Sequence, residues 1–419
     1  MKRLNILFVH QNFPGQFKHL APALAQRDHS VKALRQAQKG LPYATQGVVL
    51  EKWQAQRGTC LDAHPWAHDT ETKLIRGEAA AAAAAFKLKR DNWCPDLIVG
   101  HPGWGEMLFL HHIWPQVPQL HFLEFFYRSA GLDVGFDPEF SLADWQSAAR
   151  VTAKSGPSLM GLENMTAALS PTHFQASTYP AWARDRIEVI HDGINTSQVV
   201  PNPGANLRLG RQGPDIRHGD PVLTFVNRNL EPYRGYHRFM RALPSIQQRC
   251  PNAITVIVGG HGVSYGAAAP EGQSWKDLIL QEVNDDLDLD RVYFTGKLAY
   301  RDYLTLLQVS ACHVYFTYPF VLGWSCLEAM AAGALVVGSA TPPVQEVICN
   351  GENGLLVDFF DQQALVETVS QVLNNPERFT QIRQAARISV VNRFDLETVC
   401  LPKQIQLIDR LLGHAPILA

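Results

Sequence analysis

Residues 312–346 read CHVYFTYPFVLGWSCLEAMAAGALVVGSATPPVQE, and this stretch decides the fold. It opens on a β-branched and aromatic run, Val314-Tyr315-Phe316-Thr317, the composition of a buried strand. A loop carrying Pro319 and Gly323 follows. The spacing then predicts a short helix from Ser325 to Ala332, closed by Gly333 one position past its last turn. Ala334 to Ser339 is a second strand, broken by Thr341-Pro342-Pro343. Strand, glycine-bearing loop, helix, strand is the repeating unit of a parallel α/β sheet. The loop sits at the carboxyl end of its strand and meets a helix N-terminus. Free N–H groups and the positive end of the helix dipole suit that place to a phosphate. Glu328 lies inside the helix. Ser325-Cys326-Leu327-Glu328 also fits a capping box, in which the glutamate only satisfies the helix start.

Working outward, the same α/β alternation fills the chain. Its 419 residues predict at least two domains, each able to bury a sizeable core. With 46% hydrophobic and 18% charged residues the composition is that of a soluble globular protein, and the net charge of −2 gives no sign of a nucleic-acid partner. The seven cysteines are scattered without a CxxC pair, which points to a reducing cytoplasm. Met1-Lys2-Arg3 ahead of Leu4–Val9 mimics a signal peptide, but the apolar run is short and His10-Gln11-Asn12 ends it. No run approaches the ~20 apolar residues of a membrane span.

Leu4–Val9 reads as a strand buried on both faces, followed by a loop through Gly15 and a helix bearing Phe17, Leu20 and Leu24. There is no GxGxxG fingerprint. Residues 78–90, EAAAAAAAFKLKR, form a helix by propensity. Its terminal Lys87, Lys89 and Arg90 suit the helix dipole or anionic lipid headgroups. Pro95–Gly100 is a strand whose exit loop holds His101, Trp104 and Glu106. Trp104 offers a stacking face for a ligand, and His101 or Glu106 a hydrogen bond to a hydroxyl; His101 equally fits a packing role. Leu120–Phe126 is a further strand carrying Glu124. A charge in so apolar a run calls for a partner, either a ligand hydroxyl or a base such as Arg128. Residues 131–145 read as an irregular acidic loop, a lid over an acceptor groove. Residues 199–221, rich in Pro, Gly, Asn and Arg, read as a linker. A second α/β domain then begins at Val222, with Arg228 and Arg234 in the loop after its first strand.

Leu327-Glu328-Ala329-Met330 and its surroundings resemble the donor-binding segment of family 4 retaining glycosyltransferases, the glycosyl transferases group 1. The resemblance is strongest over 312–357 and extends through His191-Asp192-Gly193-Ile194-Asn195 to nearly the whole chain. It implies an α/β, GT-B fold: two Rossmann-like domains facing across a cleft. The domains would be 1–198 for the acceptor and 222–395 for the donor, joined by 199–221, with a C-terminal helix at about 396–419 returning to the first. It implies that Glu328 receives the ribose hydroxyls and that Arg228 and Arg234 clamp the diphosphate. The nucleobase would lie beside Gly296-Lys297-Leu298, and N–H groups of Gly323, Trp324 and Ser325 would face the phosphates. Gly15 would lie near the donor phosphate or the acceptor. Phe320 stands where the family usually carries its first glutamate, a departure at the donor sugar.

The reaction so implied moves a sugar from a nucleoside diphosphate to a hydroxyl with retained configuration. The acceptor would be a glycan, a lipid-linked saccharide or a small molecule. No metal or other cofactor is expected, no protein nucleophile is needed, and Arg228, Arg234, Glu124 and His101 are the catalytic candidates, with Trp104 and Glu106 on the acceptor side. Cell-envelope polysaccharide synthesis in the cytoplasm, in peripheral contact with the inner membrane face, is the expected setting. A sugar-nucleotide epimerase on the same fold and a non-catalytic subunit are the alternatives; Phe320 favours the latter, Arg228, Arg234 and Glu328 oppose it.

Overall fold

A computed structural model describes residues 3–37, 45–140, 144–210 and 213–413. The chain forms two compact units: Met1–Gly135 with Leu142–Gly193 and Glu397–Ala419, and Phe136–Ser141 with Ile194–Leu396.

The first unit is built on a parallel sheet of β1 (Asn5–Val9), β2 (Ser30–Gln36), β3 (Val48–Trp53), β4 (Leu97–Gly100), β5 (Gln119–Phe122), β6 (Ala167–Ser170) and β7 (Ile187–Val189). The order is β3-β2-β1-β4-β5-β6-β7, and Ile6 is in register with Val31 on one side and Leu97 on the other. β1 alternates between two apolar layers, which explains its unbroken hydrophobic run. Ile6 and Phe8 join Leu20, Leu24, Leu407 and Ile408 on one face. Leu7 and Val9 join Ala80, Ala84 and Leu88 on the other. Each of the larger side chains among them contributes roughly 1.5–3 kcal/mol by burial. The C-terminal helix Leu401–Leu411 thus belongs to the first core, and Arg27 pairs with Asp409 at 3.7 Å beside it.

Residues 199–221 hold an antiparallel pair, β8 (Asn206–Arg208) and β9 (Asp215–Arg217). The second sheet is parallel: β10 (Val222–Asn229), β11 (Ile254–Gly260), β12 (Val292–Gly296), β13 (Cys312–Tyr315), β14 (Leu335–Ser339) and β15 (Leu355–Val357), in the order β12-β11-β10-β13-β14-β15. β10 and β13 lie side by side where the strand order reverses, the place at which α/β sheets open a ligand crevice. Phe225 of β10 stacks on Phe239 at 4.6 Å and 13° in the core beneath.

Three expected elements differ. The strand expected over Leu120–Phe126 ends at Phe122, so Glu124 lies in the loop beyond it. The helix expected over 78–90 begins earlier, at His68, and its last turns, Ala84–Lys89, are π-helical. Of the acidic stretch 131–145, Phe136–Ser141 belongs to the second unit. Phe136 packs on Tyr318, Phe359 and Phe360, and Asp137 lies 2.9 Å from His237. Apolar burial and charge pairing hold that segment there.

Candidate functional site

In the second unit the candidate side chains gather beyond the carboxyl ends of β10–β13. The helix Trp324–Ala332 starts from Gly323, whose N–H donates to the Tyr315 hydroxyl at 2.6 Å. Ser325 sits inside the first turn and makes no cap bond, so the capping box is not formed. The buried Glu328 carboxylate instead accepts from two tyrosines. Tyr300 donates to its Oε1 and Tyr303 to its Oε2, both at 2.7 Å. Burial first, and the Glu328 charge second, push both tyrosine hydroxyls above their ordinary range. Tyr300 opens the helix Tyr300–Val309 just after Gly296-Lys297-Leu298, which ties that turn to Glu328.

Arg234 ends the 3₁₀ turn Pro232–Arg234. The next residue, Gly235, has φ +71°, and a Cβ there would come within 2.4 Å of the Phe316 Cβ. The chain therefore turns where only glycine fits, and Arg234 is delivered under the loop 316–323. Its Nη1 donates to Thr317 Oγ1 at 2.7 Å and to the Val321 carbonyl at 2.9 Å. Phe320, in the place of the family's first carboxylate, is buried with its ring 5.4 Å from the guanidinium. Arg228 is not in an exit loop: β10 runs on to Asn229, and Arg228 is exposed on it. Lys297 is exposed and Leu298 half-buried.

Asp137, Glu139 and His237 offer ligand atoms within 4.8 Å of one another. Arg238 lies 3.5 Å from Asp137, and Arg241 2.6 Å from Glu139. The cations already neutralise these carboxylates, so the cluster is an ion-pair network anchoring residues 136–140.

In the first unit, β1, β4 and β5 are adjacent, and their ends bring together residues far apart in sequence. His101 lies between Trp104, stacked at 5.4 Å, and Phe122, stacked at 6.0 Å. Its Nδ1 accepts the Gly103 N–H, and its Nε2 stands 3.5 Å from Glu124 Oε2. Gln16 donates to Glu124 Oε1 at 3.2 Å. Burial pushes the Glu124 carboxyl up, but His101, Gln16 and His10 outweigh it and hold the group below its ordinary value. Arg128 is not its partner; it donates to the Thr178 and Tyr179 carbonyls.

His10 completes this cluster and has no counterpart among the sequence candidates. It faces His101 at 5.9 Å, accepts the Asn12 N–H at Nδ1, and has its ring buried beside the Gln16 side chain. Burial, then the neighbouring His101, lower it to about 3, so it is a neutral donor through Nε2. Gly15, at φ +48°, presses its backbone against this ring: a Cβ would lie 2.6 Å from the imidazole. The contact of Gly15 is thus with His10.

Glu106 is no acceptor contact. It is 0% exposed, and no other residue hydrogen-bonds its carboxylate. Trp104 is half-buried and stacks on His101. Lys87 and Lys89 donate to the Lys52 and Ile113 carbonyls, and Arg90 lies 3.6 Å from Asp91. Those basic side chains are tied into their own unit. Among the described residues no helix is long and apolar enough to cross a membrane.

Two parallel α/β units with this strand order define a GT-B protein. Sucrose-phosphate synthase from Thermosynechococcus elongatus superposes with a TM-score of 0.72 at 21% identity, over 98% of this chain and all (100%) of that one. HepE from Anabaena, solved with UDP and glucose, superposes with a TM-score of 0.65 at 17% identity, over 98% of this chain and 100% of that one. Residues 27–199 match the glycosyl transferase family 4 group and residues 209–389 the glycosyl transferases group 1. The two matches mark both halves of the chain as glycosyltransferase sequence.

Among curated relatives, glycogen synthase of Mycobacterium tuberculosis is 28% identical over 183 residues, 44% of this chain and 41% of that protein. The GDP-mannose-dependent alpha-(1-6)-phosphatidylinositol monomannoside mannosyltransferase of Mycolicibacterium smegmatis is 29% identical over 213 residues, 48% of this chain and 50% of that protein. The chain thus spans about half or less of the length of these curated relatives.

Proposed function

We propose that the protein transfers a sugar from a nucleoside diphosphate to a hydroxyl of a saccharide or lipid-linked acceptor, with retention of configuration. The observation that carries this reading is the coupling of Arg234 to the loop that opens the Trp324–Ala332 helix. One buried guanidinium, bonded to Thr317 and Val321, stands with the N-terminus of that helix, and Glu328 lies one turn further on. A leaving diphosphate needs fixed cations and N–H dipoles; a single such donor is worth roughly 3–4 kcal/mol. Arg234 and the N–H groups of Trp324 and Ser325 supply them, with Arg228 and Lys297 as exposed outer charges. Glu328 takes the ribose hydroxyls.

Retention then follows without a protein nucleophile. As the bond from the anomeric carbon to the phosphate oxygen breaks, the departing phosphate accepts the acceptor's proton. The acceptor oxygen bonds to carbon on the same face. His101, Glu124 and His10 form the hydrogen-bonding set for a sugar hydroxyl in the first unit. One curated relative is named for GDP-mannose and HepE was solved with UDP, so both bases belong in the test. No metal or other cofactor is part of the proposal, and the setting proposed is the cytoplasm, in cell-envelope polysaccharide synthesis.

A thermal-shift panel of UDP, GDP, ADP and TDP with their sugar conjugates tests this. A ligand at a hundred times its Kd adds about 2.7 kcal/mol to stability. One base class is expected to respond in the wild type and not in Arg234→Ala. A folded protein that answers to no nucleotide refutes the assignment. Product analysis without acceptor separates transfer from epimerisation.

A further inference from the structure

The loop between β11 and the helix Trp275–Val283, residues 261–274, has no part in the function above, yet it is built into the second unit with care for its backbone. Glu231 is 1% exposed and points its carboxylate into this loop. It accepts the N–H groups of three successive residues: Ser264 at 3.2 Å, Tyr265 at 3.3 Å and Gly266 at 3.2 Å. Successive N–H groups converging on one anion fix the backbone of all three. Asn229 donates to the Ser264 hydroxyl at 2.7 Å, and the Trp275 indole to the Ala267 carbonyl at 2.8 Å. A buried carboxylate and a side-chain amide are thus committed to holding one short turn.

What the turn delivers is the Tyr265 ring. It lies 4.8 Å from the Arg234 guanidinium, 5.1 Å from the Phe320 ring and 5.8 Å from Tyr233. Phe320 packs edge-on against Tyr233 at 5.0 Å and reaches Arg234 at 5.4 Å. The guanidinium therefore meets two aromatic rings, while Nη1 is anchored on Thr317 and Val321.

The choice of rings matters. A carboxylate at position 320 would hold Arg234 by neutralising part of its charge. Aromatic faces attract the cation through their quadrupole and leave the charge available to an anion. Freezing a long, rotamer-rich side chain before the ligand arrives removes that entropic cost from binding.

We infer that Tyr265, clamped by Glu231, is a positioning residue that preorganises Arg234 for the diphosphate of the nucleotide, with Phe320 as the second wall. This makes the 261–274 loop a functional part of the donor site and assigns Phe320 a task in place of the carboxylate it replaces. The inference rests on the donor reading of Arg234.

The test is calorimetric titration of the full chain with inorganic pyrophosphate, and with the nucleoside mono- and diphosphates of the base the thermal panel selects. Arg234→Ala tests the reading: it loses pyrophosphate and diphosphate binding, and if it binds both as the wild type does, the donor assignment falls. Given that loss, Tyr265→Ala is expected to weaken diphosphate and pyrophosphate binding by about tenfold, with monophosphate affinity changed by less than about twofold. Tyr265→Phe, which keeps the ring but loses the hydroxyl that bonds Arg234, falls between the wild type and Tyr265→Ala. Glu231→Ala reproduces the Tyr265→Ala loss, and the double variant adds little to either, because both act through one turn. Wild-type diphosphate binding in Tyr265→Ala, or an equal loss in Tyr265→Phe, overturns the inference and leaves the donor assignment standing. If Tyr265→Ala fails to fold, Tyr265→Leu keeps the bulk without the aromatic face and is expected to show the same selective loss; wild-type binding there overturns the inference equally.

Discussion

Replacing Glu106 by glutamine isolates one buried charge. Glu106 has no exposed surface, and no other residue hydrogen-bonds its carboxylate. Burial pushes it up from 4.5 to about 7, against weaker opposing contributions from its own backbone, Arg76 and His101. The folded acid is therefore still protonated where the unfolded one has ionised. Between 4.5 and about 7 the native state binds more protons, so stability falls as pH rises through that window. At ~1.4 kcal/mol per pKa unit, the full loss is about 3 kcal/mol above pH 7. Glutamine keeps the shape and cannot ionise. Glu106→Gln is expected to raise stability by about 3 kcal/mol at pH 8 relative to wild type, compared with its effect at pH 4.5. Urea unfolding of both proteins at half-unit pH steps measures the difference directly. His10 and His121, lowered to about 3 mainly by burial, act in the opposite sense: each must be neutral in the fold, so both proteins lose stability as pH falls below 6.5. That acid limb is shared and cancels in the comparison. Two parallel stability curves, with a difference that does not change from pH 4.5 to 8, would falsify the reasoning.

Other consequences are as specific. Gly15→Ala places a Cβ within 2.6 Å of the His10 ring at a positive φ, and is expected to cost about 1–3 kcal/mol in urea unfolding. Phe225→Ala removes a fully buried ring stacked on Phe239 and is expected to cost about 3–5 kcal/mol, leaving far-UV circular dichroism unchanged below the transition.

Local pattern reached some parts of this protein and not others. The strand–loop–helix–strand reading of 312–339 corresponds to β13, the Trp324–Ala332 helix and β14, because each element has its own hydrophobic period and its own stop signal. The run Leu4–Val9 is a strand covered on both faces, as its unbroken apolarity implies. The capping box that Ser325–Glu328 also fitted does not form, since short-range spacing cannot reveal that two tyrosines more than twenty residues upstream bind the same carboxylate. His10 carried a weak signal, a polar residue directly after a buried strand, the position from which its neighbour candidate His101 was drawn. Glu231 and Tyr265 carried none, because the value of each depends on the other.

The amino-acid sequence by itself determined the element types, the α/β alternation in both halves, and the glycosyltransferase resemblance, all of which rest on contacts within a few residues. Only the tertiary structure decided which side chains meet. Parallel strands need long crossovers, so His10, His101 and Glu124 come from three separate crossover units and converge only when β1, β4 and β5 pair side by side. Burial is likewise a property of the whole sheet and its covering helices. That is why Glu106, which reads as a loop carboxylate beside a tryptophan, is an interior acid. For the same reason Arg234, which the sequence places only in a loop after a strand, is a buried cation held between aromatic rings.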